Sequence, residues 1–488
     1  MASKLAARNG GWIGLGALFA ILLLGLGLRV GEAWDGRAPV YDAQAYAAIA
    51  ANLEDGHGFT VGPAATQPSS NYSPGLPLFV AGLYGMTGGV HERLARVVLA
   101  VVGALSVLFA YGVGRRLGRA LQRPEASEVA GVPAQEPPLL RTGRYSAQSS
   151  ASVWAALVGA LAVAVYPALL EYQGMLMSEP LAAALLSGGV LAALWSWDGS
   201  LVRWLLPGAL FGALAMVRPE YLGIAFLVAL VIAAREMRRD WRSSLLRAAV
   251  FLGAALVVIA PWTIRNAVAL DRFVPISTGG GQVLYAGTYL PSDGDPEKVG
   301  AEVVRENPQL FASQDAQRLR LEQILARLAQ ARYPGMETDK ALSKLGKERL
   351  WDDISEDPVE YAGFVATKIG RIWFHPARDI MRGFPWIVLQ WALVMLGLIG
   401  LVILAWRRRW EALLFAAIFL AITVISALLV ASPRRVLVLV PLLAPLAATT
   451  LTYLTSSFRS ASAGDLTKPG SPADALSTPN SPDSLTPP

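Results

Sequence analysis

Ten apolar blocks divide this chain, near residues 11–30, 92–114, 151–170, 179–197, 202–217, 220–234, 246–265, 386–406, 411–431 and 435–455. A helix needs about 20 mostly apolar residues to cross a bilayer, and most of these blocks are of that order. The sequence therefore predicts an all-α polytopic membrane protein with about ten transmembrane helices. Composition agrees, since 54% hydrophobic against 16% charged residues is more apolar than a soluble domain requires. Gly and Pro interrupt several blocks, which membrane helices tolerate when neighbours satisfy the freed backbone groups. Residues 75–90 are apolar but short and rich in Gly and Pro, and are expected to be re-entrant or interfacial. Lys4 and Arg8 precede residues 11–30 as they would in a signal peptide, but the run is long and no small-residue cleavage pattern follows. It is read as a retained first helix.

Orientation follows from the short connections. With the N-terminus cytoplasmic, the inside loops hold Arg115, Arg116 and Arg119; Arg203; Arg235, Arg238, Arg239, Arg242 and Arg247; and Arg407, Arg408 and Arg409. Outside connections carry few cations, so the positive-inside rule places both termini in the cytoplasm. The expected organisation is an N-terminal transmembrane module over 1–268, with a first outer loop at 31–91 and a cytoplasmic loop at 115–150. A large outer loop follows over 269–385, helical in its middle by the spacing of Leu319, Leu321, Ile324, Leu325 and Leu328. C-terminal transmembrane helices occupy 386–455, and the Ser/Pro/Thr-rich 456–488 reads as a disordered cytoplasmic tail.

Several function classes drop out. There is no cysteine, so disulfides and thiolate chemistry are excluded. No HExxH, Walker loop, GxSxG or metal-spaced His cluster occurs, and the chain has three His in all. The net charge of +6 is concentrated in loops between apolar blocks, a pattern of membrane topology rather than of nucleic-acid binding.

The remaining polar clusters all fall at the outer face in this topology. Asp42 follows the first span, where a carboxylate can take a proton from a hydroxyl or simply cap an interfacial helix; Asp35 and Glu32 share that position. Tyr46 precedes the Gly56-His57-Gly58-Phe59 stretch, and Tyr72 opens the Tyr72-Ser73-Pro74-Gly75-Leu76-Pro77 stretch. Ser178-Glu179-Pro180 opens the fourth span as a capped helix start, with Glu179 favourable to the helix dipole and also placed to orient a sugar hydroxyl. Arg218-Pro219-Glu220 breaks two apolar blocks; immersed charges cost roughly 2.5–3.5 kcal/mol each, so they are expected to face a cavity. Arg265 and Asn266 close the seventh span, before the Gly279-Gly280-Gly281 turn whose N–H groups are free to approach an anion. Arg434 and Arg435 depart from the positive-inside trend, and phosphate binding at the membrane surface is a use for such a pair. Lys368, Arg371 and His375 either add to that anion site or anchor the interface.

Taken in order, Asp42, Tyr46, Gly-x-Gly-Phe, Tyr-Ser-Pro-Gly-Leu-Pro, Ser-Glu-Pro, Arg-Pro-Glu, Pro-Trp-x-x-Arg-Asn and the closing Arg-Arg resemble the bacterial family-39-like glycosyltransferases of the GT-C superfamily, relatives of protein mannosyltransferases and aminoarabinose transferases. The similarity covers roughly 11–455. It implies a GT-C fold and a membrane glycosyltransferase of the cytoplasmic membrane, using a polyprenyl-phosphate-linked sugar and a glycan, lipid or protein acceptor. By that resemblance Asp42 is the general base or acceptor-positioning group. Arg434, with Arg435 and Arg265, matches the outer-face cations that stabilise the departing lipid phosphate. By position Tyr46, Tyr72, Glu179, Arg218, Glu220 and Asn266 are the further candidates for substrate binding, the tyrosines serving otherwise as interfacial anchors. Relatives often carry two adjacent acids where this chain has Asp42-Ala43, which weakens the case for a divalent cation. A lipid-linked-sugar flippase and a non-catalytic assembly scaffold are the alternatives. The flippase would show mid-membrane charges or repeat symmetry, and neither is visible.

Overall fold

The computed structural model describes residues 2–36, 38–39, 42–62, 67–122, 138–293, 295, 297–311 and 319–465, with the side chains of 2–11, 122, 138–150 and 457–465 left aside. Among the described residues the chain is helical and has no strand. In order the helices are α1 (Ala2–Trp34), α2 (Asp42–Glu54), α3 (Gly75–Thr87), α4 (Glu92–Gln122), α5 (Pro138–Ala164), α6 (Pro167–Glu171), α7 (Glu179–Ser196), α8 (Leu205–Val217), α9 (Tyr221–Glu236) and α10 (Trp241–Leu270). Then come α11 (Gly280–Thr288), α12 (Val299–Glu306), α13 (Leu321–Arg332), α14 (Thr338–Glu356), α15 (Pro358–Phe374), α16 (Phe384–Trp406), α17 (Glu411–Leu428), α18 (Arg434–Leu437) and α19 (Val440–Asp465).

Every expected apolar block is helical, and the chain is a multi-pass membrane protein. Six helices are long and apolar enough to cross a bilayer alone, and α5 with the segment Pro167–Gly174, bent by 50°, makes a seventh. The expected ten is reached only by adding the shorter apolar helices Leu201–Val217 and Val440–Ser456 and the 16-residue α9. Two breaks shorten these helices. The chain leaves helix at Arg218-Pro219, and again at Ser432-Pro433 before the Arg pair; proline removes a donor, and a charged side chain favours a cavity over lipid. Helix α3, 13 residues long, is too short to cross, as its block suggested.

Small residues set the helix crossings. A Cβ on Gly208 would lie 2.2 Å from the Phe251 carbonyl oxygen, and one on Gly212 2.5 Å from that of Ala255. This small-xxx-small stripe lets α8 and α10 touch backbone to backbone, the device that replaces hydrophobic driving force between helices in lipid. The bend after α5 is held by a buried cation. Arg29 of α1 donates to the carbonyls of Val163 (2.9 Å) and Ala164 (2.9 Å), which the break leaves without helical partners.

The 269–385 segment is helical, as its spacing indicated, and it covers one end of the bundle, called here the capped end. It has its own core of Tyr285, Tyr289, Val299, Val303, Ile324, Leu325 and Leu328 among others. Helix α15 packs on α16 and α17 and so joins this cap to the membrane helices. Helix α19 runs to Asp465, into the stretch expected to be tail, and α5 begins at Pro138, inside the expected cytoplasmic loop. The rest of that loop and of the tail lies outside the described residues.

Candidate active site

Four separate parts of the chain meet at the capped end. Asp42 is the first residue of α2, Glu179 the first of α7, Arg218-Pro219-Glu220 the break between α8 and α9, and Arg434-Arg435 the start of α18. Glu179 is fully buried, and one of its oxygens, Oε1, accepts from Arg434 Nε at 2.6 Å and from Arg218 Nη2 at 2.9 Å. Arg218 continues to Glu220 (3.5 Å), and Glu220 to Arg435 Nε (3.9 Å). Arg434 reaches the other way, from Nη1 to Asp42 Oδ2 at 3.3 Å. The result is a chain of alternating charge running Asp42–Arg434–Glu179–Arg218–Glu220–Arg435.

The two acids on Arg434 differ in kind. The Glu179 side chain has no exposure and that of Asp42 is 44% exposed. A fully buried carboxylate that already binds two guanidinium groups fixes their orientation, and breaking such a pair is costly. The Asp42 contact is longer and open to solvent, so a ligand can displace it. Glu179 was expected either to favour the helix dipole or to orient a sugar hydroxyl; fully buried behind the arginines, it acts through them.

Aromatic rings wall this charge chain. Tyr172 lies between two cations, with Arg434 at 5.7 Å and Arg378 at 5.5 Å from its ring. Tyr46 is buried and meets Tyr72 edge-on at 5.8 Å. Burial first, and then the Asp42 and Glu179 carboxylates, hold the Tyr46 phenol above its ordinary pKa, so it remains a neutral hydroxyl. Tyr72 donates to Glu322 at 3.3 Å, linking the first loop to α13.

Between the bundle and the cap opens a cleft of about 890 Å³, lined among others by Tyr72, Glu220, Gly279, Glu322, Asp339 and Arg435. A space of this size accommodates a sugar-sized ligand. Its Gly-rich wall differs from expectation. The Gly281 N–H donates to Asp339 at 2.9 Å, and a Cβ there would lie 1.9 Å from the Asp339 carbonyl oxygen. Gly281 serves close packing of α11 on α14 and its N–H is taken by a carboxylate, while Gly279 and Gly280 line the cleft.

Two predicted site residues stand apart from the charge chain. Arg265 donates to the carbonyls of Ser69 (2.9 Å) and Phe59 (3.2 Å) and lies over the Trp262 ring at 4.8 Å. Asn266 donates to Val274 (3.1 Å) and Ile276 (3.0 Å). Both hold the loops around the site in place. Arg371 pairs with Asp295 at 3.1 Å, His375 is exposed, and Lys368 is fully buried rather than interfacial. Sequence reasoning passed over Tyr172. Its one signal is the polar stretch Glu171-Tyr172-Gln173 directly after the 151–170 apolar block. Among the described residues no group of three or more His, Asp or Glu is arranged to hold a metal ion.

The fold itself has relatives among solved structures. The chain aligns over 92% of its length with 50% of the oligosaccharyltransferase from Archaeoglobus fulgidus tethered to an acceptor peptide containing the NVT sequon, at 14% identity and TM-score 0.50. Oligosaccharyltransferase AglB from the same organism, in complex with an inhibitory peptide and a dolichol-phosphate, gives 14% identity and TM-score 0.49 over 94% of this chain and 52% of that one. ArnT from Cupriavidus metallidurans bound to undecaprenyl phosphate gives 14% and 0.39, over 93% and 79%. At 14% identity what is shared is the polytopic helical fold alone. The chain spans about half the length of the two oligosaccharyltransferases. No family model and no curated protein matches the sequence.

Proposed function

We propose that this chain is a membrane glycosyltransferase that moves a sugar from a polyprenyl-phosphate donor to an acceptor hydroxyl. The observation that carries the proposal is Arg434, fixed from behind by the buried Glu179 and touching the accessible Asp42 in front. Sugar transfer needs a base on the acceptor and a cation on the departing phosphate, side by side. Arg434 and Asp42 offer that pair, and each is paired with the other until substrate separates them. The GT-C fold and the order of motifs along the sequence support the same reading.

In the proposed reaction the donor phosphate takes the Arg434 face now turned to Asp42. Asp42 accepts the acceptor's hydroxyl proton as that oxygen attacks the anomeric carbon. The bond from that carbon to the phosphate oxygen breaks, and the electron pair leaves on a polyprenyl phosphate whose charge Arg434 meets, with Arg218 and Arg435 behind it. One displacement gives inversion. The isoprenoid tail stays in lipid while its head reaches the cleft, and the acceptor enters from the cap side, where 56–72 and 269–385 would set specificity. The arginine-rich connections at the other end favour an outward-facing site, with both termini in the cytoplasm and the protein in the cytoplasmic membrane.

Proteoliposomes supplied with a panel of polyprenyl-phosphate sugars and candidate acceptors test this directly. Transfer with an inverted anomeric configuration is the expected result. Binding of undecaprenyl phosphate without transfer from any donor would favour the scaffold, and movement of donor across the bilayer without transfer would favour the flippase.

A further inference from the structure

Lys368 is a buried cation that the site chemistry does not use. It lies in the middle of α15, with no exposed surface. Its Nζ donates to the carbonyl of Gly287 at 2.6 Å and to that of Ala427 at 2.6 Å. These two carbonyls belong to the last turns of α11 and α17, which end at Thr288 and Leu428. The last carbonyls of a helix have no helical partner, and its C-terminal end carries partial negative charge. One ammonium group therefore caps two helices whose negative ends converge on it, and this accounts for a lysine without a carboxylate partner in the interior.

The turn that follows α17 leads to the arginine pair. Arg435 donates back to this turn through Nη1, to the Val430 carbonyl and to Ser426 Oγ, while its Nε faces Glu220. The same turn presses on α11, since a Cβ on Gly287 would lie 2.3 Å from the Leu429 carbonyl carbon. Trp373, on the same helix as Lys368, donates to Thr423 on α17 at 3.0 Å. Residues 426–430 are thus held on one side by the cap and on the other by Arg435.

We propose that Lys368 is a positioning residue for the anion-binding arginines: by capping α11 and α17 together it fixes the 426–430 turn against which Arg435 is set. The proposal deepens the glycosyltransferase reading, because it assigns to the cap segment control over how tightly the lipid phosphate is held. It also makes that control sensitive to protonation. Burial, and then repulsion from Arg435, pushes the Lys368 ammonium down to about 7. Arg435 is the charged group acting on it from outside α15. The ends of α11 and α17 present backbone carbonyls, and no described carboxylate lies within 4.0 Å. A neutral amine keeps its donors but loses the charge that strengthens bonds to helix ends.

Binding of undecaprenyl phosphate to the purified full chain in detergent, combined with hydrogen exchange over 424–437, tests this. Lys368→Met is expected to weaken binding about tenfold and to raise exchange over 280–288 and 424–437, with α4 and α5 unchanged. Lys368→Arg should restore much of both. Gly287→Ala, which leaves the lysine in place but pushes the turn outward, should weaken binding in the same direction and keeps the test decisive if Lys368→Met misfolds. The ratio of wild-type to Lys368→Arg affinity should fall as pH rises through about 7, a comparison in which the ligand's own titration cancels. Equal affinity and equal exchange in wild type and Lys368→Met would overturn the proposal and leave the enzyme reading standing. Failure of wild type to bind undecaprenyl phosphate would instead count against the enzyme reading, and the exchange data alone would then decide the role of Lys368.

Discussion

Arginines gather at both ends of this helical bundle, and they are held in opposite ways. At the end remote from the cap, Arg235 lies between the rings of Trp197 (4.4 Å) and Trp410 (4.3 Å), and Trp197 packs on Trp204 at 4.7 Å. Around it Arg116 pairs with the exposed Asp198 at 2.8 Å, and Arg247 with Glu236 on the next helix. These contacts use aromatic rings and part-exposed carboxylates to clamp helix ends at the membrane surface. At the capped end, Arg434 and Arg218 share one fully buried carboxylate that lies 255 and 39 residues away in the chain, and Asp42 and the cleft lie alongside. The difference teaches that a cation at a membrane helix end carries little functional weight by itself. What marks a site is two arginines sharing one fully buried carboxylate, with a second carboxylate accessible beside them.

The comparison breaks most readily at Arg434. Arg434→Gln should abolish measurable sugar transfer, a loss on the order of 10²–10³ or more, because in the proposed reaction it removes the donor nearest the developing phosphate charge. Transfer within tenfold of wild type would place the leaving group elsewhere. Glu179→Gln tests the hidden half of the pair. Its replacement leaves two arginines around a neutral amide and should cost about 3–5 kcal/mol in thermal stability, with a fall in transfer of about tenfold or more. A stable, fully active variant would mean that the buried carboxylate positions nothing.

Lys368 sharpens the contrast through pH. Its pKa is lowered from 10.5 to about 7 in the folded chain, so between those values the unfolded chain binds more protons. Stability should therefore rise with pH across that window, and Lys368→Met should flatten the rise in unfolding experiments run from pH 6 to pH 10. The smallest effect belongs to the opposite end. Arg235→Ala should lower stability by about 1–2 kcal/mol through the lost aromatic contacts while transfer stays within twofold. A large loss of transfer there would erase the distinction between the two ends.

Much of this was legible in the sequence because lipid makes charges rare. Asp42, Glu179, Arg218, Glu220, Arg434 and Arg435 each stood out at the edge of an apolar block, and the structure places all six in one chain of contacts. The helical spacing in 319–328 likewise became α13, with Ile324, Leu325 and Leu328 buried. The pairing itself was not legible, since nothing in a one-dimensional pattern says that Glu179 binds Arg434 rather than solvent. Lys368 was misplaced for a related reason. A lysine near an interface normally snorkels, and only the convergence of two helix C-termini makes an interior position favourable. Gly281 shows the same limit, because glycines for anion contact and glycines for close packing look alike in sequence.

The most direct test of the central claim compares sugar transfer by wild type and Asp42→Asn in proteoliposomes, with undecaprenyl phosphate affinity measured on the same preparations. Because Asp42 is accessible and contributes one long contact to Arg434, the variant should fold normally and keep its affinity within a few-fold. Its transfer rate should fall by about 10²–10⁴, the usual contribution of a general base. Transfer at the wild-type rate in Asp42→Asn would contradict the account and remove the base from this position.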